Sequence, residues 1–470
     1  MKIEQIYTGC IAQAAYYLES NGEAAIFDPL REVQPYIDRA KVDNAKIKYI
    51  FETHFHADFV SGHLDLSKKT DGKIVYGPTA KPEFEALITE DNQEFKVGNC
   101  TVKAIHTPGH TLESTCYLLI DENGKQHGII TGDTLFIGDV GRPDLAQAMA
   151  DDLTQEKLAS YLYESLRNKI MPLSDDLIVY PSHGAGSACG KNMSKETTDT
   201  LGNQKKTNYA LRADMTREEF ISELLDGLAL PPAYFPQNVM MNIQGYESLD
   251  NVIEKSFKAL SPKEFEAIAN ETDAVLLDVR HENEFVLSHI PNSIFIGIQG
   301  NFAPWVGALI MNVKQPILLI TPSGKEEETI TRLSRVGFDN VLGYLDGGIK
   351  AWTDAGFETA DINSISPEKF AAEFTPDSII IDSRKPGEYK AEHLENALNI
   401  PLDTINTNFS AVPKIEEFYL HCAGGYRSVI MASILKSRGI HNFINVEKGI
   451  AGIKNQGVKV TDFVCPTTLK

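Results

Sequence analysis

Residues 52–63 read ETHFHADFVSGH and set His54, His56 and Asp58 at alternating positions just after the apolar run Tyr49 to Phe51. Imidazoles and a carboxylate so spaced are donors for a borderline metal ion. His110 follows in HTPGHT, Asp133 in TGDTLFIGD and His183 in YPSHG, each after an apolar run. Any one of these residues alone reads as a loop cap, but four strand ends that each deliver His or Asp point to one metal site. Phe59 stands where a second ion would want an imidazole. A separate signal lies in LHCAGGYRSVIMASIL, where Cys422 follows a strand and precedes two glycines, Arg427 and an apolar helix. Loop amides, a helix N-terminus and a guanidinium all favour a thiolate, the form that a sulfur-accepting nucleophile requires.

The elements that must position these groups are legible in outline. As far as about Pro181, short apolar strands end in clusters of His, Asp, Gly and Thr, with helices expected at 82–87 and 154–168, which is a mixed α/β pattern with chemistry at strand ends. A helix capped by Thr216 with Glu219 three positions on is expected over 216–226. LPPAYFPQN then reads as a fixed, extended connector before Val239. Beyond Leu249 the chain repeats: VLLDVRHENEFVLSHIPNSIFI matches IIIDSRKPGEYKAEHLENALNI, and Asp278 and Asp382 are 104 positions apart. A period that long marks a duplicated domain rather than a solenoid, and each copy, opening with a helix at 261–269 or 366–374, suggests a small parallel α/β sheet. The expected domains are 1–248 with the connector, 249–360 and 361–470.

Bulk properties narrow the partners. With 470 residues the chain needs several cores, and a formal net charge of -21 leaves no basic footprint for nucleic acid or an anionic membrane surface. The sequence shows no export signal and no spanning run, so a cytoplasmic location is expected. Six scattered cysteines read as reduced thiols. Of these, Cys189, six positions after His183, reads as packing in preference to a thiol relay, and Cys465 falls in a terminal tail. His106 has no motif partner and reads as structural. Arg142 in GRPDL is open between binding an anionic substrate and pairing with Asp139 or Asp144.

The order T-H-x-H-x-D followed by a later His, Asp and His resembles the metallo-β-lactamase superfamily over about Met1 to Gly190. The resemblance implies a four-layered αβ/βα sandwich with metal at the strand ends. Phe59 departs from it, since the two-zinc hydrolases of that superfamily carry a His there. Without that imidazole a second site keeps Asp58, His183 and a bridging Asp133, and one ion is expected. Two imidazoles and a carboxylate with open positions suit non-haem Fe(II), and the same set would hold Zn(II). THFHADF, HTPGHT and GDTLFIGDVGRPDL are most similar to the persulfide dioxygenase branch. That likeness implies one Fe(II) per chain on His54, His110 and Asp133, with His56, Asp58 and His183 hydrogen-bonded around them.

CAGGYR resembles the rhodanese active site C-x-x-G-x-R, in a likeness that covers about 260–356 and 367–457. Cys422 would carry a persulfide, cradled by Arg427 and by the loop of Ala423, Gly424, Gly425, Tyr426 and Ser428. In the first copy Thr321 falls opposite Cys422 and Glu326 to Glu328 oppose a thiolate, so that copy reads as non-catalytic. The expected protein is a multidomain α/β enzyme, a metallo-β-lactamase-like sandwich followed by two rhodanese-like domains. It would oxidise a persulfide of glutathione or coenzyme A type with O2 to sulfite and thiol, then pass sulfane sulfur to sulfite as thiosulfate. A zinc-dependent hydrolase of glutathione-type thioesters is the alternative, and a non-catalytic binding module is a third reading of the rhodanese pair. The thiol carrier and homo-oligomerisation stay open.

Overall fold

Along Gln13–Ser20, Ala14, Tyr16 and Leu18 enter one apolar cluster while Ala15 and Tyr17 enter another, so the strand's period of two buries both of its faces. The computed structural model describes residues 1–145, 153–228 and 230–464. It divides into two units, Met1–Val252 with Leu333–Gly337 and Ile253–Arg332 with Phe338–Lys470. Cys465 lies outside the described residues.

In the first unit, β1 (Lys2–Thr8), β2 (Gln13–Ser20), β3 (Glu23–Phe27), β4 (Lys46–Phe51), β5 (Lys73–Tyr76) and β6 (Leu87–Ile88) form one sheet in that order. A second sheet runs from β7 (Glu94–Val97) through β8 (Cys100–His106), β9 (Thr115–Ile120), β10 (Gln126–Gly132) and β11 (Ile178–Pro181) to β12 (Asp199–Thr200). Tyr16, Phe27, Phe51, Val102, Tyr117 and Ile130 fill the space between the sheets. Helices Gln34–Val42 and His63–Thr70 cover the first sheet, and Gln155–Ser165 and Arg217–Leu225 the second, which makes four layers. β8 and β10 each pair antiparallel with β9, and β11 lies parallel to β10. These three strands therefore point the same way, and the loops at their C-terminal ends emerge on one edge of the sheet.

Two local expectations are corrected. Residues 82–87 form a loop into β6 and not a helix, and Glu83 N donates to Ile243 O at 2.8 Å, a partner far along the chain in place of an intrahelical one. The connector is helical from Phe235 to Gln244, because Pro236 falls in the first turn, where its missing N–H costs nothing. The helix at Arg217–Leu225 has the Thr216–Glu219 capping box read from the sequence.

The second unit holds two five-stranded parallel sheets of identical order. The first is built from β13 (Ala259–Leu260), β14 (Val275–Asp278), β15 (Ile294–Phe295), β16 (Ile317–Ile320) and β17 (Val341–Leu345). The second is built from β18 (Ser364–Ile365), β19 (Ile379–Asp382), β20 (Leu398–Asn399), β21 (Phe418–His421) and β22 (Phe443–Val446). The repeated Asp-x-Arg closes the same buried pair in each copy, Arg280 Nη2 to Asp278 and Arg384 Nη2 to Asp382, both at 2.6 Å. Among the described residues no helix is long and apolar enough to cross a membrane.

Candidate metal centre and sulfur-transfer loop

The loop after β4 carries His54, His56 and Asp58, and the loops after β8, β10 and β11 carry His110, Asp133 and His183. All six are buried. One donor atom each from His54, His110 and Asp133 lie within 4.8 Å of one another. Asp133 divides its oxygens, with Oδ2 3.4 Å from His110 Nε2 and 4.0 Å from His54 Nε2, and Oδ1 3.6 Å from His183 Nε2. Gly132 precedes it with φ of +53°, and a Cβ there would lie 2.6 Å from Thr53 Cβ, so only glycine lets β10 approach the β4 loop this closely.

The candidate donor nitrogens are oriented through the opposite edges of their rings. His110 Nδ1 donates to Arg142 O at 2.7 Å. His54 Nδ1 meets Thr53 Oγ1 at 3.0 Å, and because that hydroxyl already donates to Asp28 Oδ2, His54 is the donor. Both rings therefore turn a lone pair at Nε2 toward Asp133. Burial, then the neighbouring imidazoles, holds His54 well below the usual histidine range, so it is neutral and ready to coordinate. Neither oxygen of Asp133 finds a hydrogen-bond donor among the described residues. A buried bare carboxylate between two Nε2 lone pairs is costly without a cation, and the set fits one metal ion.

His56 faces two carboxylates. Its Nε2 lies 3.1 Å from Asp28 Oδ1 and 3.4 Å from Glu52 Oε2. Burial pushes its pKa down, but the two carboxylates outweigh that and raise it to about 10, and its ring also lies within ligating reach of Asp58 and His183. Phe59 stacks on this ring with centroids 4.2 Å apart. Asp28 also accepts from Thr53 N at 2.7 Å and from Ser182 Oγ at 2.7 Å, while Glu52 accepts from Ser61 Oγ and faces His63 Nδ1 at 3.2 Å. Asp28, Glu52, Thr53 and His63 were visible in the sequence, three of them within the opening motif, but their spacing carried no sign of this network. Asp58 Oδ2 lies 3.4 Å from His183 Nε2, and His183 Nδ1 meets Ala12 O at 3.1 Å.

Cys189 joins a cluster with Asp133 and His183, closer to the centre than a packing residue need be. Burial, with Asp58 and Asp133, pushes its thiol up to about 12, so it is no ready thiolate. Of the alternatives for Arg142 the ion pair is realised, with Asp144 and not Asp139: Nε and Nη2 each lie 2.6 Å from a carboxylate oxygen. His106 Nε2 meets Leu112 O at 2.8 Å, a structural bond. A cavity of about 400 Å³ lined by Ala57, Asp144, Leu145, Phe235 and Val239 adjoins a recess that reaches His110, with Ala57, Leu145 and Val239 shared between them.

In the second unit Cys422 follows β21 and is buried, and Gly425 N donates to its sulfur at 3.1 Å. Ser428 Oγ donates to Gly425 O at 2.9 Å, which braces the loop. The Arg427 guanidinium forks onto Glu388 at 2.6 and 2.7 Å and also feels the charge of Cys422. Burial alone would raise the Glu388 carboxyl, but Arg427 keeps it below its usual range. In the first copy Glu326 Oε1 accepts from Gly324 N at 3.1 Å and lies 3.3 Å from Thr321 Oγ1. A carboxylate thus occupies the place a thiolate would need.

The comparisons with known proteins agree with this architecture. The metallo-beta-lactamase superfamily model matches residues 8–183, and the rhodanese-like domain model matches 261–355 and 366–456. The chain thus joins a metallo-β-lactamase-fold domain to two rhodanese-like domains. A crystal structure of a metallo-beta-lactamase from Staphylococcus aureus subsp. aureus COL is 31% identical, with a TM-score of 0.66, over 73% of this chain and 98% of that one. A hydroxyacylglutathione hydrolase of Pseudoalteromonas translucida is 29% identical over 248 residues, 52% of this chain and 83% of that protein. A probable hydroxyacylglutathione hydrolase of Schizosaccharomyces pombe is 30% identical over 184 residues, 38% of this chain. The chain spans 66% of that relative's length.

Proposed function

We propose that the first unit oxidises a low-molecular-weight persulfide with Fe(II) held by His54, His110 and Asp133, and that Cys422 transfers sulfane sulfur to the sulfite formed. The observation that carries this reading is the donor set: His54, His110 and Asp133 converge on one point, while Phe59 stands on His56 and supplies no imidazole for a second ion. Such a set suits one iron ion better than the paired zinc ions of a hydrolase. Bound there, iron supplies the redox chemistry that couples O2 to sulfur oxidation.

The chain's own residues orient and exclude. Thr53 and the Arg142 carbonyl fix the two imidazoles, and Ala57, Leu145 and Val239 line the recess that reaches His110. The net reaction is R–S–SH + O2 + H2O giving R–SH, sulfite and two protons. In the second unit, the Cys422 thiolate attacks the outer sulfur of a second R–S–SH and releases R–S⁻. Sulfite then takes that sulfur from Cys422 to give thiosulfate and regenerate the thiolate. Gly425 N–H, aimed at Sγ, stabilises the anion before and after transfer.

The names of the two hydrolase relatives favour a second reading, a zinc-dependent thioesterase. Metal analysis of anaerobically purified protein, with oxygen uptake on glutathione persulfide, separates the two. About one iron per chain with oxygen uptake is expected. Two tightly held zinc ions, thioester hydrolysis and no oxygen uptake would overturn the proposal. Cys422→Ser should consume oxygen normally but accumulate sulfite in place of thiosulfate, and an unchanged thiosulfate-to-sulfite ratio would sever the coupling.

A further inference from the structure

The Cys422 loop is held from two sides. Its own copy fixes the carbonyls, with Ile450 N donating to Cys422 O at 2.8 Å and Ala451 N to Ala423 O at 3.2 Å. Gly449 makes that approach, since a Cβ there would lie 2.2 Å from Cys422 O. The other hold comes from the copy that lacks the cysteine. Tyr426, the residue after Gly425 and the first of the helix Tyr426–Ser437, sends its hydroxyl to donate to Gly297 O at 2.9 Å. Its ring meets Phe295 edge-on with centroids 5.7 Å apart, and a Cβ at Gly300 would lie 2.5 Å from its Cζ. Further along the same helix, Ser433 Oγ accepts from Phe295 N at 3.0 Å, so β15 braces the helix at a second point.

We propose that Tyr426 is a positioning residue and that the cysteine-less copy is the wall holding the catalytic loop of the other copy, with Gly297 and Gly300 as the cradle for the tyrosine ring. The inference rests on the sulfur-transfer reading of Cys422. Its physical ground is the shortness of the link. Gly425 carries the N–H aimed at Sγ, with φ of +113°, and the next residue is anchored across the copy boundary. Rotation of that first helical turn re-aims the amide and withdraws stabilisation from the thiolate. The sequence position that expectation placed among the substrate contacts is therefore occupied by an anchor, and loss of the nucleophile in the first copy leaves this role intact.

The test uses the full chain with Tyr426→Phe, which keeps the ring and deletes the hydroxyl, and Gly300→Ala, which crowds the ring from the other copy. Two readouts are taken, the pH dependence of Cys422 alkylation by iodoacetamide and the single-turnover rate of sulfur transfer from persulfide-loaded Cys422 to sulfite. Both variants should move the alkylation midpoint to higher pH and slow transfer by about three- to tenfold, the effect of one lost hydrogen bond. A merely structural role would lower the melting temperature and leave the midpoint in place. If wild-type Cys422 gains no sulfur when treated with persulfide, as read by intact mass, the sulfur-transfer reading itself fails. If it does gain sulfur, and both variants keep the wild-type midpoint and rate, the positioning inference is wrong.

Discussion

Phe59→His is the most direct probe of the metal centre, because it restores the one imidazole that a second site lacks. The phenyl ring is fully buried and stacked on His56. Exchanging it for a smaller, polar ring forfeits about 1–2 kcal/mol of apolar burial at ~25 cal/mol/Å². Leaving the new ring nitrogen unpartnered costs about 1–3 kcal/mol more. The metal-free variant should therefore melt about 5–15 °C below wild type, at the 2–4 °C per kcal/mol usual for a domain of this size. Asp58 Oδ1, Asp133 Oδ1 and His183 Nε2 are already buried without hydrogen-bond partners among the described residues. With the added imidazole they should take up a second divalent ion. Zinc at a hundredfold over its dissociation constant should return about 2.7 kcal/mol of the lost stability. Metal analysis after gel filtration and a thermal melt with and without zinc read both effects. A variant that stays at one metal per chain, with a melt zinc does not restore, would refute the reasoning that Phe59 alone separates this centre from a two-metal one.

Other outcomes follow from the same geometry. Asp133→Ala should lose iron and oxygen uptake together, because it removes the single anionic ligand of the triad, and full iron retention would assign the carboxylate elsewhere. Thr321→Cys in a Cys422→Ser background should transfer no sulfur, since Glu326 holds the Gly324 amide a thiolate would need; robust transfer would mean that loop backbone outweighs charge. His289, stacked on Phe285, is held by burial at a pKa of about 4 against an ordinary 6.5. Between those values the unfolded chain takes up a proton that the folded one refuses, so stability of the second unit should fall as pH drops from 6.5 toward 4. His289→Leu should flatten that fall, and an unchanged pH profile of urea unfolding would show that another group carries it.

Much of this protein can be read from its sequence because the relevant physics is local. The alternation His54, His56, Asp58 after an apolar strand, the capping box at Thr216 and the duplicated Asp-x-Arg are short-range patterns, and each is matched by the element it specifies. The candidate metal donors could be listed because strand ends deliver them, and the Cys422 loop because glycines and a helix start follow it directly. What only the tertiary structure decided depends on partners far along the chain. Asp28 pairs with His56 across the β3–β4 pair, which no spacing announces. Glu388 holds the Arg427 guanidinium, although 39 positions separate them. Tyr426 reaches Gly297, 129 positions away, because two parallel sheets of the same order bring a helix of one copy against an edge strand of the other. Residue type and spacing determine which groups are able to ionise, coordinate or attack. Which of them are left bare to do so is set by hydrogen-bond competition in the folded core, where each buried charge takes the partner that packing brings to it.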